Sequence, residues 1–507
     1  MDIPEPKINL VDSSLFGNDA AEDEDDNIFD SYFVSRQEVK DFSNSDRKLC
    51  ILRAYRGEGK SAVIRHVWSI FAHKGDVVVR TTGSTIPLPG VVGVDPDAWT
   101  RAWQRGIFTL LASEIGSKIG VAWGDDAMSL VEEAEKNGFK SRSLLSAVCD
   151  RLQKSPLALK RDPKGTADAE RVVARWIKER PPVWVFVDNV DENFENTREF
   201  RAKVASFFSA CRNIVNLVPE VRVRAGIRPN VWAIVKANAE SLSKAEQYVV
   251  DLRWDMDQMR AVLARRVEAY LERNQQGEPR ASIRTWNAPD QEEKLISFAF
   301  QGKMPWGYDK EQQRNKHRPP HIVMGTLSRL RPRWMVEIAK AAAKKAVASG
   351  HQVIELADIT STLGVFGSGR VADLSAEYSS LCPQVGEVIS AFSGLSEEYT
   401  TDELIKTIQN RIMQGIHVTI EGSGVVKKPM QIAALLYEIG FLSARKNLEY
   451  GEYRHYTFAE QSDLLHNRTN LDGGMVWEIH PVFRQALGLR SSSGAKNRGS
   501  RESKGPR

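Results

Sequence analysis

Residues 54–61 read Ala-Tyr-Arg-Gly-Glu-Gly-Lys-Ser, a phosphate-binding loop with alanine at the place of its first glycine. Glycines let backbone N–H groups curl around phosphate oxygens, and the N-terminus of a following helix adds positive potential. The residues this assigns to a nucleotide are Tyr55, Arg56, Gly57, Glu58, Gly59, Lys60, Ser61 and Ala62. Within that set Lys60 would reach the β- and γ-phosphates, and Ser61 would hold Mg²⁺. A second chemical signal is Val-Trp-Val-Phe-Val-Asp-Asn-Val-Asp-Glu at 183–192. An apolar strand that ends in Asp188 places a carboxylate where it can help hold Mg²⁺, although a strand-end turn residue would read the same in isolation. Asp191 or Glu192 could polarise an attacking water as general base. The usual arrangement has an acid directly after the metal-binding Asp; here that place is Asn189, which argues for slow hydrolysis.

Three further segments carry candidate contacts. Arg228 ends the apolar stretch 221–227 and could report on a γ-phosphate; the plainer reading is a surface arginine in a turn before Pro229. Arg331-Pro332-Arg333 precedes an alanine-rich stretch, where Pro332 suits a helix start and either arginine could cap structure or reach phosphate. His480 follows the apolar run 476–479, and by itself it reads as a hydrogen-bonded core histidine.

The elements needed to position these residues are legible as alternating patterns. Strand signals lie at 49–52, 77–81, 183–187 and 221–227, rich in β-branched residues. Helical signals lie at 61–72, 98–119, 141–153, 166–178 and 199–215, with Trp99 and Trp103 four apart on one stripe. Such alternation predicts an α/β fold: a P-loop parallel sheet with helices on both faces, whose ligands bind at the carboxyl ends of the strands. A helix over 254–273, a polar stretch through Gly302, Pro305, Trp306 and 310–320 read as loop or insertion, and a helix over 335–348 suggest a helical lid. Helical stretches at 384–392, 401–413 and 430–439, then strands at 453–458 and 476–479, suggest a C-terminal winged helix. The expected domains are a leader (1–45), the P-loop domain (46–252), the lid (253–375), the winged helix (376–489) and a basic tail (490–507). In the leader an acidic run precedes Ile28, Phe29, Tyr32 and Phe33, whose spacing predicts an aromatic helix face packed on the next domain or over a nucleotide base.

Composition bounds the rest. The 507 residues are 42% hydrophobic and 27% charged, ordinary for a globular chain of several domains. No apolar stretch approaches the roughly 20 residues of a membrane span, and the start lacks signal-peptide character, so a cytoplasmic location is expected. Cys50, Cys149, Cys211 and Cys382 form no Cys-x-x-Cys pair and read as small apolar residues. The formal charge of +4 comes from the tail: residues 490–507 carry six Lys/Arg and one Glu, so the remainder is at 4 − 5 = −1. A body without basic excess does not favour nucleic acid, and the Ser/Gly-rich tail is expected to be solvated.

In order, the P-loop, Asp188, Arg228, Pro332 and His480 resemble the STAND class of signal-transducing P-loop ATPases, related to AAA+ and Orc-like initiators. Phe16-Gly17, Ala20-Ala21-Glu22, Tyr32-Phe33 and His480-Pro481-Val482-Phe483 also resemble a poorly characterised group of bacterial P-loop ATPases. The resemblance spans about residues 10–489 and implies ATP with Mg²⁺ as cofactors. It implies Arg228 as a γ-phosphate sensor, Pro332 near adenine, and His480 on the β-phosphate of ADP. It also implies a homo-oligomer and, since no effector or sensor segment is visible, a separate effector protein, with a place in bacterial antiviral defence. The absence of a guanine-reading Asn-Lys-x-Asp motif favours ATP over GTP.

The expected function is an ATP-binding and slowly hydrolysing molecular switch. One alternative is an initiator- or loader-type ATPase whose winged helix binds DNA. The helix read at 430–439 has no Lys or Arg of its own, only Lys427 and Lys428 before it, which argues against a major-groove reader. The other alternative is a nucleotide-bound scaffold with little hydrolysis, which Asn189 keeps open.

Overall fold

In the computed structural model the described residues are 7–88, 90–119, 167–178, 180–238, 240–274, 288–309, 314–448, 453–465 and 474–491. The helix read at 141–153, the first residue of that read at 166–178, Cys149 and the tail after 491 lie outside them. The chain divides into two compact units, residues 35–253 and residues 1–34 together with 254–507. Among the described residues no helix is long and apolar enough to cross a membrane.

Residues 35–253 build one sheet from β1 (Leu49–Arg53), β2 (Val78–Thr82), β3 (Val183–Asp188), β4 (Val221–Ile227) and β5 (Val249–Asp251). Their order is β2-β3-β4-β1-β5, all parallel. Every residue of β3 is buried, as expected of a central parallel strand covered on both faces. Helices Lys60–His73, Pro96–Ile119 and Arg198–Leu217 contribute to this core. The predicted tryptophan stripe is there: Trp99 and Trp103 are buried, and Trp103 meets Phe207 edge-on at 5.1 Å. Strand β5 was not read from sequence; three residues are too few to show a period, and register with β1 alone defines it.

Arg224 on β4 is fully buried, and among the described residues its hydrogen-bond partners are all carbonyls. Its Nη2 donates to Asn44 O (2.6 Å) and Arg47 O (2.8 Å), and its Nε donates to Phe42 O. Phe42 and Asn44 close the helix Gln37–Ser43, so the guanidinium caps that helix's negative end. Burial pulls its pKa down to about 10, still charged at neutral pH.

The other unit opens with residues 1–34 of the segment read as leader, while residues 35–45 belong to the sheet unit. The helices Ser13–Phe16 and Asp26–Tyr32 pack on the helix Met256–Arg273, burying Phe16, Phe29 and Tyr32. The aromatic face therefore packs on a helix far along the chain. Arginines on the receiving helix hold it: Arg266 donates to Phe16 O and lies 4.0 Å from the Tyr32 ring centroid, and Arg273 donates to Ser14 O at 2.7 Å. Helices Pro320–Leu327, Pro332–Ala348 and Leu356–Tyr378 continue this core. The last of them runs through residue 375. The stretch read as loop or insertion holds an antiparallel hairpin, β6 (Met304–Asp309) with β7 (Arg314–Arg318). Charges and a bulge between Pro305 and Tyr308 hide the alternation that would have revealed it.

Beyond it lie β8 (Glu398–Thr400), the helices Thr401–Thr407 and Pro429–Glu438, the two-residue strands β9 (Thr419–Ile420) and β10 (Gly424–Val425), then β11 (Leu442–Asn447), β12 (Tyr453–Tyr456) and β13 (Val476–Ile479). The sheet order β12-β11-β13-β8 with its helices is a winged-helix arrangement. The strands read at 453–458 and 476–479 both pair with β11, which was missed because Arg445 and Lys446 break its apolar alternation. Across this sheet Glu478 accepts from Arg445, from Arg484 (3.2 Å) and shares a hydrogen bond with His455 (3.1 Å). Burial raises the Glu478 pKa, but these partners outweigh it and bring it down to about 2 from the usual 4.5. A depressed carboxylate stabilises the fold fully above its unfolded pKa and loses that contribution as pH falls toward its folded one. The expected result is a loss of on the order of 3 kcal/mol between about pH 5 and pH 2, read as falling stability in acid denaturation. Glu478→Gln should flatten that acid limb; an unchanged limb would assign the acid sensitivity elsewhere.

Candidate functional site

The order of the sheet decides what can meet. Strand β4 lies between β1 and β3, so the loops after β1, β4 and β3 stand side by side at one edge of the unit. Those loops carry Lys60, Arg228 and Asp188 in that spatial order.

The loop after β1 turns through Gly57 at φ 83° and Gly59 at φ 92°, the left-handed region that glycine enters without a Cβ penalty. Ala54 N donates to Ile227 O (3.2 Å), so the position normally held by glycine keeps the loop's base on β4. The Glu58 carboxylate accepts from Tyr55 N at 2.6 Å and closes the loop on itself. Lys60 opens the helix Lys60–His73 and is only 8% exposed. Its ammonium pairs with Asp188 and donates to Asn189 Oδ1 at 2.7 Å. Gly226 on β4 makes room for that side chain, because a Cβ there would lie 2.8 Å from Lys60 Cδ. The sequence signal for this requirement was a lone glycine inside a β-branched strand, which marks a close approach.

Asp188 is 7% exposed. Burial raises its pKa, but the Lys60 charge and hydrogen bonds from Lys60, Ser61 and the Asn189 N–H bring it below the usual carboxylate value. It is therefore an anion beside a hydroxyl. The Ser61 hydroxyl and Asp188 carboxylate are the hard oxygen donors that suit Mg²⁺. Asn189 sits at φ 48°, a conformation that Asn tolerates better than most side chains. Its side-chain oxygen accepts from Lys60 and gives the ammonium a second partner.

The two carboxylates offered as general bases have different surroundings. Asp191 is 1% exposed; its Oδ2 pairs with Arg228 Nε and accepts from Arg228 N at 3.2 Å. Arg228 Nη2 also donates to Asp191 O. Arg228 is no free surface residue: it precedes the helix Pro229–Asn238 and is anchored to the loop after β3. Glu192 is exposed and accepts from Ser84 Oγ at 2.6 Å. Ser84 was not singled out by sequence. It follows Gly83, where a Cβ would lie 2.8 Å from Val190 Cα, so the loops after β2 and β3 run in contact.

Pro332 and His480 belong to the other unit. Pro332 begins the helix Pro332–Ala348. Beside it, Arg331 is buried in an ion pair with Glu377 at 2.9 Å and lies 4.6 Å from the Trp334 ring centroid. Arg333 pairs with Glu337 at 3.2 Å. Both arginines thus make structural pairs. His480 caps the helix Pro481–Arg484, its Nδ1 accepting from Val482 N at 3.4 Å. Burial, then the nearby Arg329 and Arg484 charges, push its pKa well below the usual value, so the imidazole is neutral at pH 7. Arg329 and Leu330 are consecutive left-handed residues, at φ 54° and 55°, strain that an arginine anchored on Ile439 O (2.7 Å) helps hold.

No protein-family model matches the chain, and no curated protein matches it. Among solved structures, Cdc6p from Pyrobaculum aerophilum aligns over 95% of this chain and 99% of its own, at 11% identity and TM-score 0.32. The Aeropyrum pernix ORC2 protein, in ADPNP-ADP complexes, aligns over 91% of this chain and 96% of its own, at 8% identity and TM-score 0.36.

Proposed function

We propose that the chain is a nucleotide-dependent switch that binds ATP with Mg²⁺ and hydrolyses it slowly. The observation that carries this reading is the meeting of Lys60, Ser61 and Asp188 at the mouth of a glycine-turned loop, at the carboxyl ends of a parallel sheet. The loop's backbone N–H groups and Lys60 would take the phosphates, and Ser61 and Asp188 would hold the metal, which when bound neutralises charge on the phosphoryl oxygens. Lys60 would exchange Asp188 for phosphate as the nucleotide enters. Asn189 would keep the ammonium aimed during that exchange.

The chemistry of a base falls to Glu192 in this proposal. It is exposed, and its carboxylate accepts from the Ser84 hydroxyl. Asp191, by contrast, has its charge engaged by Arg228. Arg228 would sense a γ-phosphate by leaving Asp191, and that exchange would be the switching event. The roles of Pro332 near adenine and of His480 toward ADP, the homo-oligomer and the separate effector belong to the same proposal by resemblance.

Turnover of ATP by the full chain tests it. Glu192→Gln should cut turnover at least 100-fold with ATP affinity retained, the size expected when a general base is removed. Asp191→Asn should leave a larger fraction of the turnover and should change the ratio of ATP to ADP affinity, because it frees Arg228. A Glu192→Gln enzyme turning over like wild type would sink the base assignment. A wild-type chain that binds neither ATP nor ADP would sink the switch reading itself.

A further inference from the structure

In the unit made of residues 1–34 and 254–507, two helix ends meet. The helix Pro320–Leu327 closes with Leu330 N donating to Gly325 O and Arg329 N donating to Thr326 O, both at 2.9 Å. The helix Pro429–Glu438 closes in the same way, with Phe441 N donating to Leu436 O at 2.9 Å and Gly440 N to Tyr437 O at 3.0 Å. Such an ending places a left-handed residue just past the helix, and glycine is its usual occupant. The second helix has Gly440 there, at φ 68°; the first has Arg329 at φ 54°, followed by Leu330 at φ 55°. Arginine and leucine enter that region at a cost, so this turn stores strain that a glycine would not.

The arginine side chain holds the strained turn in place. Arg329 Nη2 donates to Ile439 O at 2.7 Å, at the negative end of the helix Pro429–Glu438. Its guanidinium lies 6.0 Å from the Phe483 ring centroid. Gly440 leaves it room, because a Cβ there would overlap Nη2. Glycine is thus missing where the backbone favours it and present where the arginine needs space. A second contact runs the opposite way: the His480 side chain is hydrogen-bonded to the Thr326 backbone, at the end of the helix Pro320–Leu327. Each helix end is therefore capped by a side chain from across the joint between the helices within 320–378 and the winged helix. Along the same joint Gly367, on the helix Leu356–Tyr378, comes so close to Val482 O that a Cβ would overlap it. At that point no side chain interlocks the two parts.

We propose that Arg329 is a latch: it holds the winged helix docked on the helices within 320–378 against the strain of its own turn, and its release lets the winged helix swing as a folded body. A turn strained only while the latch is closed lowers the cost of opening, so two arrangements of the joint lie close in free energy. The proposal goes beyond the nucleotide site, and its test needs no nucleotide.

Spin labels on Lys344→Cys and Asp402→Cys, one exposed position on each side of the joint, report the arrangement in the full chain as a distance. Cys50, Cys211 and Cys382 are buried, and Cys149→Ser removes the fourth thiol. One main distance is expected with Arg329 in place. Arg329→Gly removes the guanidinium and the strain together, and should raise the population of a second distance at least tenfold. Gly440→Ala expels the guanidinium without altering Arg329 and should populate the same second distance. Combining the two should add less than twofold to either alone, because both open one contact. A merely structural arginine would lower the melting temperature and leave the distance unchanged; that result overturns the proposal, as does a second distance in Gly440→Ala that differs from the one in Arg329→Gly. Should Arg329→Gly fail to fold, Gly440→Ala decides alone, and loss of fold in both variants overturns a latch separable from the fold.

Discussion

Lys60→Met will lower ATP affinity at least 100-fold and will also lower the stability of residues 35–253. The affinity loss follows from removing the cation that the cradle aims at the phosphates, since hydrogen bonds to charged groups contribute about 1.5–3 kcal/mol each. The stability loss has a different origin. Asp188 is 7% exposed and takes its main compensation from Lys60. With methionine opposite it, a buried carboxylate stands without its cation, and its pKa will rise toward protonation. The two effects separate in a double substitution. Lys60→Met with Asp188→Asn should recover most of the melting temperature and none of the ATP affinity. A nucleotide titration and a thermal melt on the three variants check both halves. Wild-type ATP affinity in Lys60→Met would end the assignment of this loop as a phosphate cradle.

The second large effect is expected at Arg331 and Glu377. Both are nearly sealed from solvent, 3% exposed each, with the guanidinium against the Trp334 ring. Truncating one member of this buried pair takes away the other's ion-pair partner, at about 3–5 kcal/mol. Arg331→Ala should therefore lower the denaturation midpoint strongly, and Glu377→Ala similarly. Replacing both by apolar residues of similar volume, Arg331→Met with Glu377→Leu, should recover most of the loss, because the cost lies in a buried charge that has lost its ion-pair partner. If Arg331 instead served a bound nucleotide, Arg331→Ala would leave stability nearly unchanged and weaken ATP binding. Urea denaturation with and without ATP distinguishes the two results.

Local patterns carried much of this molecule, and long-range pairing carried the rest. The nucleotide loop, β3 and the long helices were legible because each declares itself within a dozen residues, by glycine spacing or by a buried apolar run. Asp188 could be placed near Lys60 because both sit at strand ends of one parallel sheet. The Asp191–Arg228 pair was not legible, since it depends on β4 being inserted between β1 and β3, and no local signal states strand order. Read alone, Asp191 was a free acid and Arg228 a free cation; packed, they neutralise each other. Asn189 shows the same lesson from the opposite side. By position it was a missing acid, but its backbone at φ 48° and its amide on Lys60 give it work that an acid list does not describe. The leader's aromatic helix was readable, while its partner, the helix Met256–Arg273, is more than 220 residues away and could not be named from spacing.

That separation bears on how the protein comes into being on the ribosome. The segment up to residue 34 is made first, yet the helix that buries Phe16 and Tyr32 is not complete until Arg273 has been added. At about 5–20 residues per second, the leader waits roughly 10–50 s with its aromatic face uncovered while residues 35–253 are synthesised and can fold as a unit. During that interval a chaperone or a neighbouring nascent copy has access to the uncovered aromatic face. Moving the leader to follow residue 491 would shorten the wait and should raise the soluble yield without altering the finished core.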